Sequence, residues 1–329
     1  MIRFAVIGTN WITEELIKAA REIEDFALTA VYSRTEEKAK EFAAKHDIPH
    51  LFTDLGKMAQ SDVFDAVYIA SPNSFHAQQA ILCMSHGKHV LCEKPIASNT
   101  QELRNMIAAA KENHVLLMEA LKSTLLPNFQ AIREHLHKIG PVRRYFAGYC
   151  QYSSRYDAYK QGTVLNAFNP VFSNGSLMDL GVYCIYPMAV LFGKPEQIKA
   201  SGILLGSGVD GEGSILMKYK EMEAVIMHSK ISSSCLPSEI QGEYGTMIID
   251  KINQPEKVEI RYRDGKVEEL TRPQRSQSMY YEVKEFIDLL KAGRTESATN
   301  SHAHSMTTLE IMDEARQQIG LQFPADQEK

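Results

Sequence analysis

Along the first 120 residues the apolar positions change period at regular intervals. Phe4–Ile7 is a short unbroken apolar run closed by Gly8, the pattern of a strand covered on both faces. Residues 13–23 then place Leu16, Ile17, Ala20 and Ile23 at helical spacing. Ala27–Tyr32 reads as a second strand, and Glu36–Lys45 as a charged, alanine-rich surface helix. Apolar strands return at Ala66–Ala70, His89–Cys92 and Val115–Met118, with helical spacing at His76–Ser85 and over 100–113. Strands alternating with helices predict right-handed β-α-β units and a mostly parallel sheet.

After residue 122 the pattern changes. Pro127–His137 reads as a helix, Val142–Tyr152 as a strand, 153–175 as a long polar and aromatic loop, and Ser176–Phe192 as a helix. Between Gln197 and Leu270 short strands are separated by turns at Gly206-Ser207-Gly208, Lys220-Glu221 and Asp264-Gly265, which favours an antiparallel sheet. Helices over 278–292 and 302–318 finish the chain. The expected layout is therefore a parallel α/β domain over 1–122 and an α+β domain over 123–329.

Composition narrows the partners. The 329 residues carry 36 Lys and Arg against 41 Asp and Glu, a net charge of −5. That leaves no basic excess to neutralise a phosphate backbone, so no nucleic-acid partner is expected. The apolar N-terminal run is too short for a signal-peptide core, and no run approaches a membrane span, so a cytoplasmic chain without a membrane partner is expected. The five cysteines are scattered, without a C-x-x-C pair, which points to buried thiols in a reducing compartment and no metal site. His302 and His304, two residues apart, do not share a helix face, and read as packed or solvated side chains.

The candidate chemistry lies at strand ends. Gly8-Thr9-Asn10-Trp11-Ile12-Thr13 follows the first strand and opens a helix, where free backbone N–H groups and the helix dipole can hold a pyrophosphate. Only the first glycine of G-x-G-x-x-G/A is present. The second strand ends in Ser33-Arg34, with no carboxylate for a ribose 2′-hydroxyl, and Lys38 follows one turn on. A hydroxyl and a guanidinium suit a 2′-phosphate, so NADP is expected in preference to NAD. Ser71-Pro72-Asn73-Ser74-Phe75-His76 and Glu93-Lys94-Pro95 fall where adjacent parallel strands end, the usual ligand edge of such sheets.

These motifs together resemble the glucose–fructose oxidoreductase / inositol dehydrogenase / MocA family. The resemblance rests on Ser71-Pro72-Asn73-x-x-His76, on Gly87-Lys88-His89-Val90-Leu91-Cys92-Glu93-Lys94-Pro95, on Met118-Glu119-Ala120 followed by Pro127, and on Gly175-Ser176-Leu177-Met178-Asp179-Leu180-Gly181-Val182-Tyr183. It implies a Rossmann domain plus a C-terminal α+β domain with a large, mostly antiparallel open sheet that pairs chains into a homodimer or homotetramer. It also implies hydride transfer between a nicotinamide and a carbinol or carbonyl carbon of a sugar, polyol or diol. The family's lysine at the nicotinamide maps to Lys94, and its Asp and His/Tyr map to Asp179 and Tyr183. The cofactor would contact Gly8, Thr9, Asn10, Trp11, Ile12, Ser33, Arg34, Lys38, Ser71, Pro72, Asn73, His76, Glu93 and Lys94.

Asp179 and Tyr183 are four apart and so share a helix face. A tyrosine of ordinary pKa about 10 is too weakly acidic for base work at neutral pH, and a lysine ammonium beside it favours the phenolate. The tyrosine, with Ser33-Arg34, is nearest to the branch holding dihydrodiol and xylose dehydrogenases. That branch carries an Arg and aromatics where this chain has Leu121-Lys122-Ser123-Thr124-Leu125-Leu126, so its substrate does not simply transfer. The loop supplies Tyr152, Asn166 and Asn169 as candidate substrate contacts. A non-catalytic cofactor-binding sensor is the alternative that the incomplete glycine fingerprint raises. NAD-dependent glycoside hydrolysis ranks below both, since it relies on His where Tyr183 stands.

Overall fold

The computed structural model describes residues 1–327 and folds them into two compact units. One comprises Met1–Lys122 and Arg275–His302; the other comprises Ser123–Gln274 and the chain from Ala303 onward.

The first unit is built on six strands: β1 (Ile2–Ile7), β2 (Phe26–Tyr32), β3 (His50–Phe52), β4 (Ala66–Ile69), β5 (His89–Glu93) and β6 (Leu117–Ala120). All pairings are parallel and the order is β3-β2-β1-β4-β5-β6. The chain reverses its direction of travel across the sheet between β1 and β4, which opens a crevice at their carboxyl ends. Ile7 is in register with both Tyr32 and Ile69, so Gly8, Ser33 and Ala70 leave the sheet at one edge. The run expected to lie between two layers does so: Phe4 to Ile7 and Ala66 to Ile69 are buried throughout.

The expected boundary at 122/123 needs one amendment. Residues 275–302 belong to the first compact unit. The helix Tyr280–Lys291 lays Phe286 against Phe4, with ring centroids 5.8 Å apart. Asn300 Nδ2 donates to the carbonyls of Glu119 and Leu121 at the end of β6, both at 3.1 Å. A sequence-local reading assigns a helix to its chain neighbours, whereas apolar faces settle wherever a complementary face exists.

The second unit holds eight strands: β7 (Val142–Cys150), β8 (Gln197–Leu204), β9 (Asp210–Lys218), β10 (Glu223–Ser229), β11 (Ser238–Gly242), β12 (Gly245–Ile249), β13 (Val258–Tyr262) and β14 (Val267–Glu269). Their order is β14-β13-β12-β11-β7-β10-β9-β8, antiparallel except for the central β7–β10 pair. Period-two alternation gives this sheet two unlike faces. Tyr145, Ile215, Ala224, Ile226 and Ile240 are buried on one; Phe146, Leu216, Val225, Met227 and Ile248 lie half-buried or exposed on the other.

Two local expectations change. The 153–175 loop contains a helix, Ser154–Lys160, whose N-cap Ser153 accepts from Arg155 N, and two 3-10 turns, Asn166–Phe168 and Pro170–Phe172. These pieces are too short to show a period, and aromatic packing of Tyr156 and Tyr159 on buried Phe168 holds them. The helix expected from Ser176 opens with a π turn, Leu177–Gly181, before the α-helix Val182–Phe192. The stretch Pro170–Phe192 is also long and apolar enough to qualify as a span, although no run was expected to be; 72% of its window is buried inside the protein, as in a core helix.

Candidate active site

In the first unit the turn after β1 is dictated by one glycine. Gly8 has φ +106°, and a Cβ there would stand 2.7 Å from the carbonyl oxygen of Ala70. Only glycine lets β1 and β4 end so close together. Asn10 stands where the usual fingerprint has its second glycine, and it is not left-handed: its φ and ψ are −95° and 176°. It is the N-cap of the helix Trp11–Ala20, its Oδ1 accepting from Ile12 N at 3.1 Å and Thr13 N at 3.2 Å. Its Nδ2 donates to Ala70 O at 2.8 Å. The missing glycine is thus a capping residue that ties the loop to β4. Trp11, the chain's single tryptophan, begins the helix with 65% of its surface exposed.

At the end of β2, Ser33 is buried and its N–H donates to Phe52 O. Arg34 and Lys38 are exposed and, among the described residues, have no hydrogen-bond or ion-pair partner. Two uncommitted cations beside a glycine cradle and a helix N-terminus fit a phosphorylated dinucleotide.

The remaining first-unit candidates sort into exposed and bracing groups. Ser71, Pro72, Asn73 and Lys94 are half-buried at the carboxyl edge of β4 and β5, where Ser71 Oγ donates to Gln79 Oε1. His76 does not face outward. It is completely buried, with Nδ1 3.0 Å from Pro95 O and Nε2 2.8 Å from Ser71 O, and burial lowers its pKa. Glu93 is also buried: its Oε1 accepts from Tyr68 OH and its Oε2 from Lys94 N, and burial raises its pKa. Glu119, which the sequence marked only as part of a motif, accepts from Ile96 N at 3.1 Å. Lys94 therefore sits on a turn, with a cis Lys94–Pro95 peptide, held by three buried polar side chains from three elements.

In the second unit the π turn carries Asp179 and the α-helix after it carries Tyr183, both half-buried. The expectation of a simple α-helical face gives way to a wider turn, a feature frequent at functional sites. The Tyr183 ring meets Tyr149 edge-on with centroids 5.8 Å apart. Asp179 Oδ2 lies 2.6 Å from Lys230 Nζ.

Behind this pair is a set of buried groups that sequence reasoning missed. Asp210, fully buried, accepts from Leu177 N at 2.7 Å and so caps the helix that presents Asp179. Burial pushes its carboxyl up to about 6. His228 Nδ1 is 2.9 Å from Ser176 Oγ and 3.7 Å from Asp210 Oδ2. Burial pushes the imidazole down to about 3, so the Asp210–His228 contact is not an ion pair near neutrality. Gly175, with φ +136°, leaves room for Asp210, whose Oδ1 would be 2.1 Å from a Cβ at that position. Only the glycine-led start of the motif signalled this arrangement.

The loop candidates are mostly committed locally. Tyr152 OH donates to Asp157, Asn169 Oδ1 caps its own 3-10 turn, and Asn166 is exposed. Among the described residues no cluster of three or more His, Cys, Asp or Glu could hold a metal ion.

Residues 2–121 match the model of an oxidoreductase family with an NAD-binding Rossmann fold. The chain is 62% identical, over 327 residues covering 99% of it and 100% of the relative, to an NADP(+)-dependent scyllo-inositol 2-dehydrogenase of Bacillus subtilis. It is 31% identical over 336 residues, 98% of the chain and 99% of the relative, to a trans-1,2-dihydrobenzene-1,2-diol dehydrogenase of Xenopus laevis. Its fold matches an aldose-aldose oxidoreductase of Caulobacter crescentus with a TM-score of 0.86 at 21% identity, over 96% and 97% of the two chains.

Proposed function

The chain belongs to the glucose–fructose oxidoreductase / inositol dehydrogenase / MocA family of oxidoreductases, and from that premise we propose that it oxidises a secondary hydroxyl of a cyclic polyol of the inositol class with NADP. The observation that carries the reading is the braced Lys94 turn at the carboxyl edge of the parallel sheet, where a family member binds its nicotinamide. A bound nicotinamide dinucleotide would supply the hydride acceptor.

The chain's own residues would do the rest. Gly8 and the Asn10-capped loop admit the pyrophosphate, and Arg34 with Lys38 holds the 2′-phosphate by charge-assisted hydrogen bonds. Lys94 and Tyr183 are the proton-transfer residues of this proposal: the phenolate oxygen of Tyr183 takes the hydroxyl proton, and a cation such as a lysine ammonium favours the phenolate form. Asp179 accepts a neighbouring hydroxyl and fixes the ring. Neutral polyols suit the second-unit site because the Asp179 charge is already countered by Lys230. The sensor alternative loses its ground, since Asn10 is a cap and not a damaged glycine.

The reading extends to assembly. The exposed sheet face with Phe146, Leu216 and Val225 is the surface through which the chain forms a homodimer or homotetramer. Light scattering on Leu216→Arg should then give a smaller particle than wild type.

The decisive assay follows reduced-nicotinamide absorbance with NADP and scyllo-inositol, other inositols, aldoses and diols. Cyclic polyols should react fastest. Cofactor binding without turnover across the whole panel would return the protein to the sensor reading.

A further inference from the structure

Lys230 is one of the most unusual side chains in the second unit. It follows β10 directly, and its backbone is clamped on both sides: its N–H donates to Gly211 O at 2.8 Å, and its carbonyl accepts from Ser153 N at 2.9 Å. These bonds fix it between the start of β9 and the start of the aromatic segment 153–170. The ammonium is nearly sealed, with the side chain 5% exposed, whereas its partner Asp179 is 37% exposed. Lysines are rarely buried without a paired charge. Among the described residues this one has a single ion pair, the 2.6 Å contact to Asp179 Oδ2, and no hydrogen bond of good geometry. Its Nζ also stands 5.6 Å from the centroid of Phe168, a completely buried ring packed on Tyr156 and Tyr159.

The asymmetry of burial is informative. Here the cation is immobilised inside, on an aromatic floor, and the carboxylate reaches the surface of the π turn that precedes Tyr183. Two other titratable groups lie near the ammonium, and Asp210 feels its charge. Asp210 is engaged in capping Leu177 N, with burial raising its carboxyl to about 6 against the pull of Lys230, while His228 is bound to Ser176.

We infer that Lys230 is a positioning residue for the reaction: it anchors Asp179 as an oriented carboxylate on the turn before Tyr183, and so sets how the polyol ring is held against the proton acceptor. The inference rests on the dehydrogenase reading above. It adds that substrate orientation is governed from the end of β10, through a residue that does not itself touch the substrate. Phe168 and the Tyr156–Tyr159 stack make the floor that keeps the ammonium in place.

The experiment compares Lys230→Met, Lys230→Arg and wild type in kcat/KM against pH, NADP affinity and thermal midpoint. Lys230→Met should lower kcat/KM about 100-fold and move the acid limb of its pH profile up by about one unit or more, because Asp179 loses its stabilising charge. Lys230→Arg, which keeps the charge, should recover to within about 10-fold of wild type. NADP affinity should be unchanged in both. An unchanged kcat/KM and pH profile in Lys230→Met would overturn the inference while leaving the dehydrogenase reading intact. Equal losses in both variants with an unshifted profile would assign Lys230 to packing and also overturn it. No polyol turnover in wild type would remove the dehydrogenase reading and this inference together. Should Lys230→Met not fold, Lys230→Gln is the second neutral variant, judged by the same criteria.

Discussion

The two units hold their candidate site groups by opposite means. In the first, Lys94 rides on a turn braced by hydrogen bonds: His76 to Pro95 O, Glu93 to Lys94 N and Glu119 to Ile96 N, with His76 and Glu93 drawn towards their neutral forms by burial. In the second, Asp179 is held by a sealed ammonium, and the turn that bears it is capped by a buried acid. Short directed bonds fix geometry and tolerate little displacement. A charge pair fixes ionisation and orientation at once, but depends on exclusion of water. The first arrangement is therefore a matter of backbone shape, and the second of electrostatics.

The largest test of the contrast is chemical. Lys94→Ala should cut kcat by about 1,000-fold while leaving the thermal midpoint near wild type, as single-turnover and melting measurements would show. Full turnover in that variant would remove Lys94 from the proton route. Next comes shape against charge within the second unit. Gly175→Ala forces a Cβ to within 2.1 Å of Asp210 Oδ1 at φ +136°. It should destabilise the protein by about 2–3 kcal/mol in denaturant melts, with Asp179-dependent activity lost alongside. A neutral result would mean that Asp210 moves freely and does not set the turn.

Arg34→Ala should be milder and confined to the first unit. The ratio of NADP to NAD affinity should fall about 10- to 100-fold, as for loss of a charge-assisted phosphate contact. An unchanged ratio places the 2′-phosphate elsewhere. The smallest effect is a pH slope. Asp210 is raised to about 6 when folded, so ionising it costs stability as pH rises from about 4 to 6. His228 is lowered to about 3, so protonating the unfolded chain costs stability as pH falls from about 6.5. The two trends oppose each other between about pH 4 and 6. Asp210→Asn removes one of them and keeps an acceptor for Leu177 N. Stability of that variant should then fall by up to about 1.4 kcal/mol per pH unit on acidification through that window. Urea melts at a series of pH values read this slope, and a flat line would show that the histidine does not carry it.

The comparison also explains what the sequence could reveal. The first unit is written in local signals: unbroken apolar strands, a glycine after β1 and motifs at strand ends, each within a few residues of the structure it specifies. Even there the meaning of Asn10 was hidden, because a cap and a left-handed turn suit the same residue type. His76 and Glu93 were legible as motif members, but not as braces, since their partners lie on other loops. In the second unit Asp179 and Tyr183 were named from the family motif, and their spacing put them on one helix face. Lys230, Asp210, His228 and Phe168 were not, because strands and turns distant in sequence bring them to the helix. Nothing in an isolated lysine after a strand says that it will be sealed from water.

The return of residues 275–302 to the first unit has a consequence for inheritance. The polypeptide passes between the two units at three places, after Lys122, Gln274 and His302. A gene fragment ending near codon 122 would therefore encode a nucleotide fold without Phe286 on Phe4 and without Asn300 on the last strand. Exchange of such a segment with another enzyme by one crossover would leave both products incomplete. The two units can diversify by point mutation, but recombination must move them as an interleaved whole.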